Sequence, residues 1–158
     1  MADSNYISKA DYKYQMRAER LDQILEAADE DEDLLLDTAE GDAIAIIRDH
    51  LGKKYNMDVE FATTGEARNK VVLRWAKVLV IYFIYERIPD EMMPERVKDN
   101  YELVIKLLMK VEDGKKDVLG LTPIQVTNEA GETGTFTRRR WGSIDQRAND
   151  GGSPRNRN

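Results

Sequence analysis

The sequence predicts an all-α protein: a compact bundle of four to five helices followed by an extended C-terminal arm carrying short β-strands. Three observations lead there. Apolar residues recur at spacings of three and four over long stretches of the first 113 residues. Proline and glycine stand where those stretches stop, at Gly52, Pro89 and Gly114, and where one restarts, at Pro94. After Gly120 the helical pattern gives way to short alternating segments and then to a polar tail.

The first helix opens at Ser8, a favourable N-cap residue, with Asp11 three positions on in a variant of the capping box. Ile7 and Tyr12 have the spacing of a hydrophobic staple. Met16, Leu21, Ile24 and Leu25 continue the apolar face to about Ala28, as two short helices broken near residues 17–19. The run Asp29-Glu30-Asp31-Glu32-Asp33 then reads as an acidic loop, and a second helix is expected from Asp37 or Thr38. Ile44, Ile47 and Leu51 share one face of it, and Gly52 with Lys53 and Lys54 suits its C-terminal end.

Residues 55–65 read as a loop, and a third helix is expected over 65–87. From Val71 to Tyr85 only Arg74 and Lys77 are charged, so this helix must be covered nearly all round. That places it at the centre of the core, at a subunit interface, or both. Pro94 starts a fourth helix with the stripe Val97, Tyr101, Val104, Leu108 and Val111. Residues 124–127 and 134–137 are expected as short strands joined by a turn. The division is therefore a helical body, 1–121, and an extended docking arm, 122–158.

Composition narrows the function. There is no cysteine, which excludes disulfides, zinc–cysteine sites and thiol nucleophiles, and one histidine, His50, which excludes a multi-histidine metal centre. Serine is confined to termini and caps, and no G-x-S-x-G, Walker or H-E-x-x-H motif is present. An enzyme is not expected, nor a cofactor. The longest apolar run has eight residues, against the ~20 of a membrane-spanning helix. The N-terminus shows no apolar targeting segment, and a soluble protein without a membrane partner is expected. The net charge of −6 is split: residues 128–158 hold six arginines against four acids, and the remainder carries −8. An acidic body argues against general nucleic-acid binding.

Candidate sites follow. Asp29, Asp31, Asp33, Asp37 and Glu40 occupy positions 1, 3, 5, 9 and 12 of an EF-hand calcium frame. Leu34 stands where that loop needs glycine, at a cost of ~1–2 kcal/mol for a left-handed residue. A solvated acidic lead into a helix N-terminus explains the same acids more cheaply, and no calcium binding of functional strength is expected. His50 is expected at a surface or interface. Arg74 and Lys77 either snorkel to water or form an ion pair across a subunit interface, to which Tyr82, Tyr85 and Tyr101 are also assigned. In the arm, Ile124, Val126 and Phe136 suit strand addition to a partner sheet. Arg138, Arg139, Arg140 and Trp141 are read as a protein anchor in preference to a nucleic-acid contact.

Several stretches carry a family resemblance: Tyr6-Ile7-Ser8-Lys9-Ala10-Asp11-Tyr12, His50-Leu51-Gly52-Lys53-Lys54-Tyr55, Tyr82-Phe83-Ile84-Tyr85-Glu86-Arg87, Pro94, and Val111-Glu112-Asp113-Gly114-Lys115. Over roughly residues 5–121 the chain resembles the head–tail connector proteins of tailed phages, also called adaptor or head-completion proteins, including Mu-like prophage connector relatives. The Arg-Arg-Trp-Gly-Ser stretch also resembles connector tails of crAss-like phages. The resemblance implies a structural virion protein, made in the host cytoplasm and placed at the portal vertex. It implies a homo-oligomeric ring, of twelve copies, beneath the portal protein. The ring would bind an adjacent tail component or second ring protein and line a conduit for DNA without sequence-specific contact. The arm would reach the portal. Two other readings stand beside it: a calcium-binding helical module using residues 29–40, and a small nucleic-acid-binding protein using the basic tail.

Overall fold

A computed structural model describes residues 6–27, 31–87, 93–127 and 133–135. In order they form a 3-10 helix (Lys9–Tyr14), α1 (Ala18–Ala27), α2 (Glu32–Leu51), α3 (Met57–Phe61), a 3-10 turn (Gly65–Ala67), α4 (Lys70–Glu86), α5 (Glu95–Glu112), β1 (Gln125–Thr127) and β2 (Thr133–Thr135). The architecture is the helical bundle expected from the sequence.

α2 and α4 form the most extensive helix pair. On α2, Leu35, Ala39, Ala43, Ile47 and Leu51 recur every fourth residue and are fully buried. On α4, Val72, Ala76, Leu79 and Val80 are equally inaccessible. The alanines let the two backbones approach, and every-fourth-residue ridges are the ones that interdigitate between packed helices. α5 closes the bundle through Val104, Leu108 and Val111. α1 lies against both α2 and α4, contributing Leu21, Ile24 and Leu25 to the core.

Three boundaries differ from the sequence reading. α2 begins at Glu32 rather than at 37 or 38, because Asp31 caps it, its carboxylate accepting from the Leu34 N–H at 3.0 Å. Acids in a first helical turn are favourable, and burial of Leu35 and Leu36 draws that turn onto the core. The expected loop 55–65 contains α3, capped by Asn56 and burying Met57 and Phe61. Five residues are too few for a periodic signal. α4 begins at Lys70 rather than Gly65, because the Asn69 side chain accepts from the N–H groups of Val71 and Val72.

α5 ends where expected. The Lys115 N–H bonds Lys110 C=O and the Gly114 N–H bonds Val111 C=O, at 2.8 and 2.9 Å. This is a Schellman motif, with Gly114 at φ +72°. The chain then runs back over the body before pairing β1 with β2 antiparallel, Val126 opposite Gly134. The two strands match the expected pair to within a residue or two.

Candidate assembly surfaces

Three features organise the surface: a strapped N-terminus, a cationic cleft beside α4, and a rooted arm.

The N-terminal segment is tied down by buried polar groups. Tyr6, 1% exposed, donates its hydroxyl to Glu60 Oε1 at 2.5 Å, and Glu60 also accepts from the Asn69 N–H at 2.7 Å. Burial, then donation to Glu60, holds the Tyr6 phenol well above its ordinary range. The Ile7 N–H donates to Glu40 Oε1 at 3.1 Å. Arg68 grips the turn beyond, giving Nη1 to Tyr6 C=O at 2.6 Å and both Nη atoms to the Asp11 carboxylate at 2.8 and 3.1 Å. Asp11 also accepts from the N–H and hydroxyl of Ser8. Burial pushes the Asp11 carboxyl up, but the Arg68 and Ser8 donors outweigh it and hold the group at about 2. The capping spacing foresees the Ser8 contact. Arg68, 57 residues away, had no sequence signal.

α4 has two faces. Val72, Ala76, Leu79 and Val80 turn into the bundle. At 100° per residue, Arg74, Lys77, Val78 and Ile81 lie on the other side, where they line a cleft of about 460 Å³ with Met16 and Val97. Gln15, Met16, Arg96 and Val97 continue it into a second hollow of about 600 Å³, bordered by the first two turns of α1. Lys77 donates to Asp11 C=O at 3.0 Å. Burial pushes its ammonium below the ordinary lysine range; Asp11 opposes this, and Arg68 and Arg74 add to it.

The residues assigned to a subunit interface thus part company. Lys77 and Tyr85 are buried within the subunit, because the 3-10 helix and α1 cover that side of α4. Arg74 is exposed on the cleft. Tyr82 stacks on Tyr101 across α4 and α5, centroids 3.9 Å apart, with Phe83 edge-on to both. These three rings remain partly accessible. His50 Nδ1 lies 2.7 Å from Glu112, which Lys53 also holds, so it staples α2 to the end of α5.

The calcium frame is not a loop. Asp33, Asp37 and Glu40 lie on continuous α2, Asp31 is its cap, and Glu40 turns inward to Ile7. A helix cannot wrap these carboxylates around one ion as a twelve-residue loop does. Asp29 lies outside the described residues.

The arm leaves the body from a fixed root. The Val118 N–H donates to Tyr55 Oη at 3.0 Å, and Asn69 Nδ2 donates to Leu119 C=O at 2.8 Å. The Asn56 N–H bonds Thr122 C=O and the Ile124 N–H bonds Lys54 C=O. Gly120 sits at φ +85°, and a Cβ there would meet Asn69 Nδ2 at 3.2 Å. Leu121 is buried and Ile124 half-buried. The backbone of Val126 is in β1. Its side chain, and Phe136, Arg138, Arg139, Arg140 and Trp141, lie outside the described residues.

No helix among the described residues is long and apolar enough to cross a membrane. Residues 6–137 match the family model described as Bacteriophage Mu, Gp36, and the chain belongs to that phage protein family. No curated protein and no solved structure matches significantly.

Proposed function

We propose that this member of the Mu Gp36 family is a structural component of the virion. It works by assembly rather than catalysis, as a homomeric ring at the portal vertex between capsid and tail, with DNA passing through. The rooted arm carries the reading. Four contacts fix where residues 118–124 leave the body, and the family match continues past them to residue 137. The match thus takes in the body and the first part of the arm, and stops before Arg138. A β1–β2 pair that follows a fixed root suits strand addition to a neighbouring protein, with Arg138 to Arg140 and Trp141 as its anchor. The acidic body favours a conduit wall that DNA slides past. The half-exposed Tyr82, Phe83 and Tyr101 cluster suits lateral contact or the next tail component, since aromatics are enriched at interface cores.

The test is occupancy at the portal vertex. Trp141→Ala should leave circular dichroism unchanged and lower the copy number on portal-bearing heads, since losing a central interface tryptophan typically costs ~2 kcal/mol or more. Deleting residues 128–158, which spares the root, should lower it further. Wild-type occupancy of the deletion variant would make the arm a passive tail.

A further inference from the structure

The cleft beside α4 is unusual for so acidic a chain. Among the described residues that line its two hollows, five cations, Arg17, Arg20, Arg74, Lys77 and Arg96, face one carboxylate, Glu19, in a protein of net charge −6. No ion pair or side-chain hydrogen bond engages Arg17, Arg74 or Arg96 among the described residues, and all three are exposed. Between the cations the floor is apolar, made of Met16, Val78, Ile81 and Val97. The occupant that fits is acidic at its edges with an aliphatic side chain at its centre.

The chain carries such a segment at the corner before α2. Asp31, Glu32 and Asp33 are exposed there, preceded in sequence by Asp29 and Glu30. Leu34 follows with 63% of its surface in water. The start of α2 is tied down: Asp31 caps the helix, and Lys9 holds Glu32 at 2.7 Å and Asp33 at 3.6 Å. Corner and cleft lie at opposite ends of α1, ten residues, or roughly 15 Å. A copy therefore cannot fill its own cleft without unwinding a capped helix.

We propose that the acidic corner of one copy, with Leu34 at its centre, docks into the cationic cleft of the next copy. Such a contact is heterologous, with two different patches on each subunit, and repeating it closes a ring or extends a filament. The inference rests on the ring reading above and names the surfaces that build the ring. An anion in the cleft also offsets the mutual repulsion of Arg74 and Lys77.

The wild-type chain has no cysteine, so a disulfide can be introduced without background. A chain carrying both Leu34→Cys and Val78→Cys, loaded on portal-bearing heads and oxidised, should give a ladder of linked multimers. Each single variant should give none. Arg74→Glu with Arg96→Glu should cut the ladder about tenfold or more by placing like charges together. Adding Glu32→Arg and Asp33→Arg to that chain should restore it. A chain that loads as a ring but gives no ladder overturns this inference and leaves the ring standing. A ladder indifferent to the charge reversals also overturns the pairing. Finding the chain at the vertex as isolated copies, or absent from it, ends both readings. Cleft-dependent binding of duplex DNA without a ladder assigns the cations to phosphate and rejects the proposal.

Discussion

Replacing Asp11 with asparagine should remove one of the strongest tertiary ties in the body. Asp11 and Arg68 have side-chain exposures of 17% and 10% and meet at 2.8 Å. The carboxylate also takes both Ser8 donors. Asparagine keeps the shape and one acceptor but loses the charge. Arg68 then keeps one neutral side-chain acceptor at position 11 beside the carbonyls of Gly65 and Tyr6. Two routes size the loss. The Asp11 carboxyl falls from 3.8 to about 2 on folding, which by linkage stabilises the fold by roughly 2 kcal/mol. Breaking one side of a buried pair typically costs ~3–5 kcal/mol, and the two carbonyls left on Arg68 bring this toward the lower figure. With a urea dependence of ~2 kcal/mol per molar, the unfolding midpoint should fall by about 1 M.

The pH dependence supplies an independent check with a definite sign. A depressed carboxyl stabilises the fold above its unfolded value and ceases to do so as pH falls from 3.8 toward 2. Wild type should therefore lose stability more steeply than Asp11→Asn in that window, and the two should converge at its lower end. Urea unfolding followed by circular dichroism at several pH values measures both quantities. A neutral-pH midpoint within about 0.25 M of wild type, or parallel acid profiles, would refute the account. A cycle with Arg68→Met should also return a coupling of ~1 kcal/mol or more.

Further expectations follow from single contacts. Glu40→Gln should stabilise the protein at neutral pH: burial raises the Glu40 carboxyl, so its stabilising contribution is lost as pH rises through the folded value, and the variant's advantage should vanish below about pH 4. A variant equal to or weaker than wild type at pH 7 would contradict this. Asn69→Ala removes the α4 cap and the tie to Leu119 and should cost ~1–2 kcal/mol in thermal unfolding. Tyr55→Phe orphans the buried Val118 N–H; faster amide exchange over 118–124 with α4 unchanged is the expected result, and uniform exchange rates would count against the rooted arm.

The sequence disclosed what local chemistry controls. The stripe on α5, its glycine stop, the break near Arg17 and the strand pair after Gly120 are set by neighbours within a few residues, and all stand in the structure. The start of α2 was misread because an acidic run suits a solvated loop and a helix N-terminus alike. What decides between them is the burial of Leu35 and Leu36 against distant helices. Arg68 and Glu60 were invisible for the same reason: their partners lie 57 and 54 residues away, beyond any spacing rule. The central helix is the instructive case. Its apolar sequence established that α4 must be covered but could not say by what. α2, α5 and α1 take most of it, and Lys77 and Tyr85 are largely buried within the subunit. Among the described residues, what stays partly accessible on α4 and its neighbours includes the Tyr82, Phe83 and Tyr101 rings on one side and Val78 between the cations on the other. These two patches differ in kind. The ring cluster is adapted to flat stacking, the cleft to an acidic insert. Opposed charges fix register where aromatic contact alone does not, so in the proposed ring the cleft, rather than the aromatic cluster, would set how one copy sits against the next.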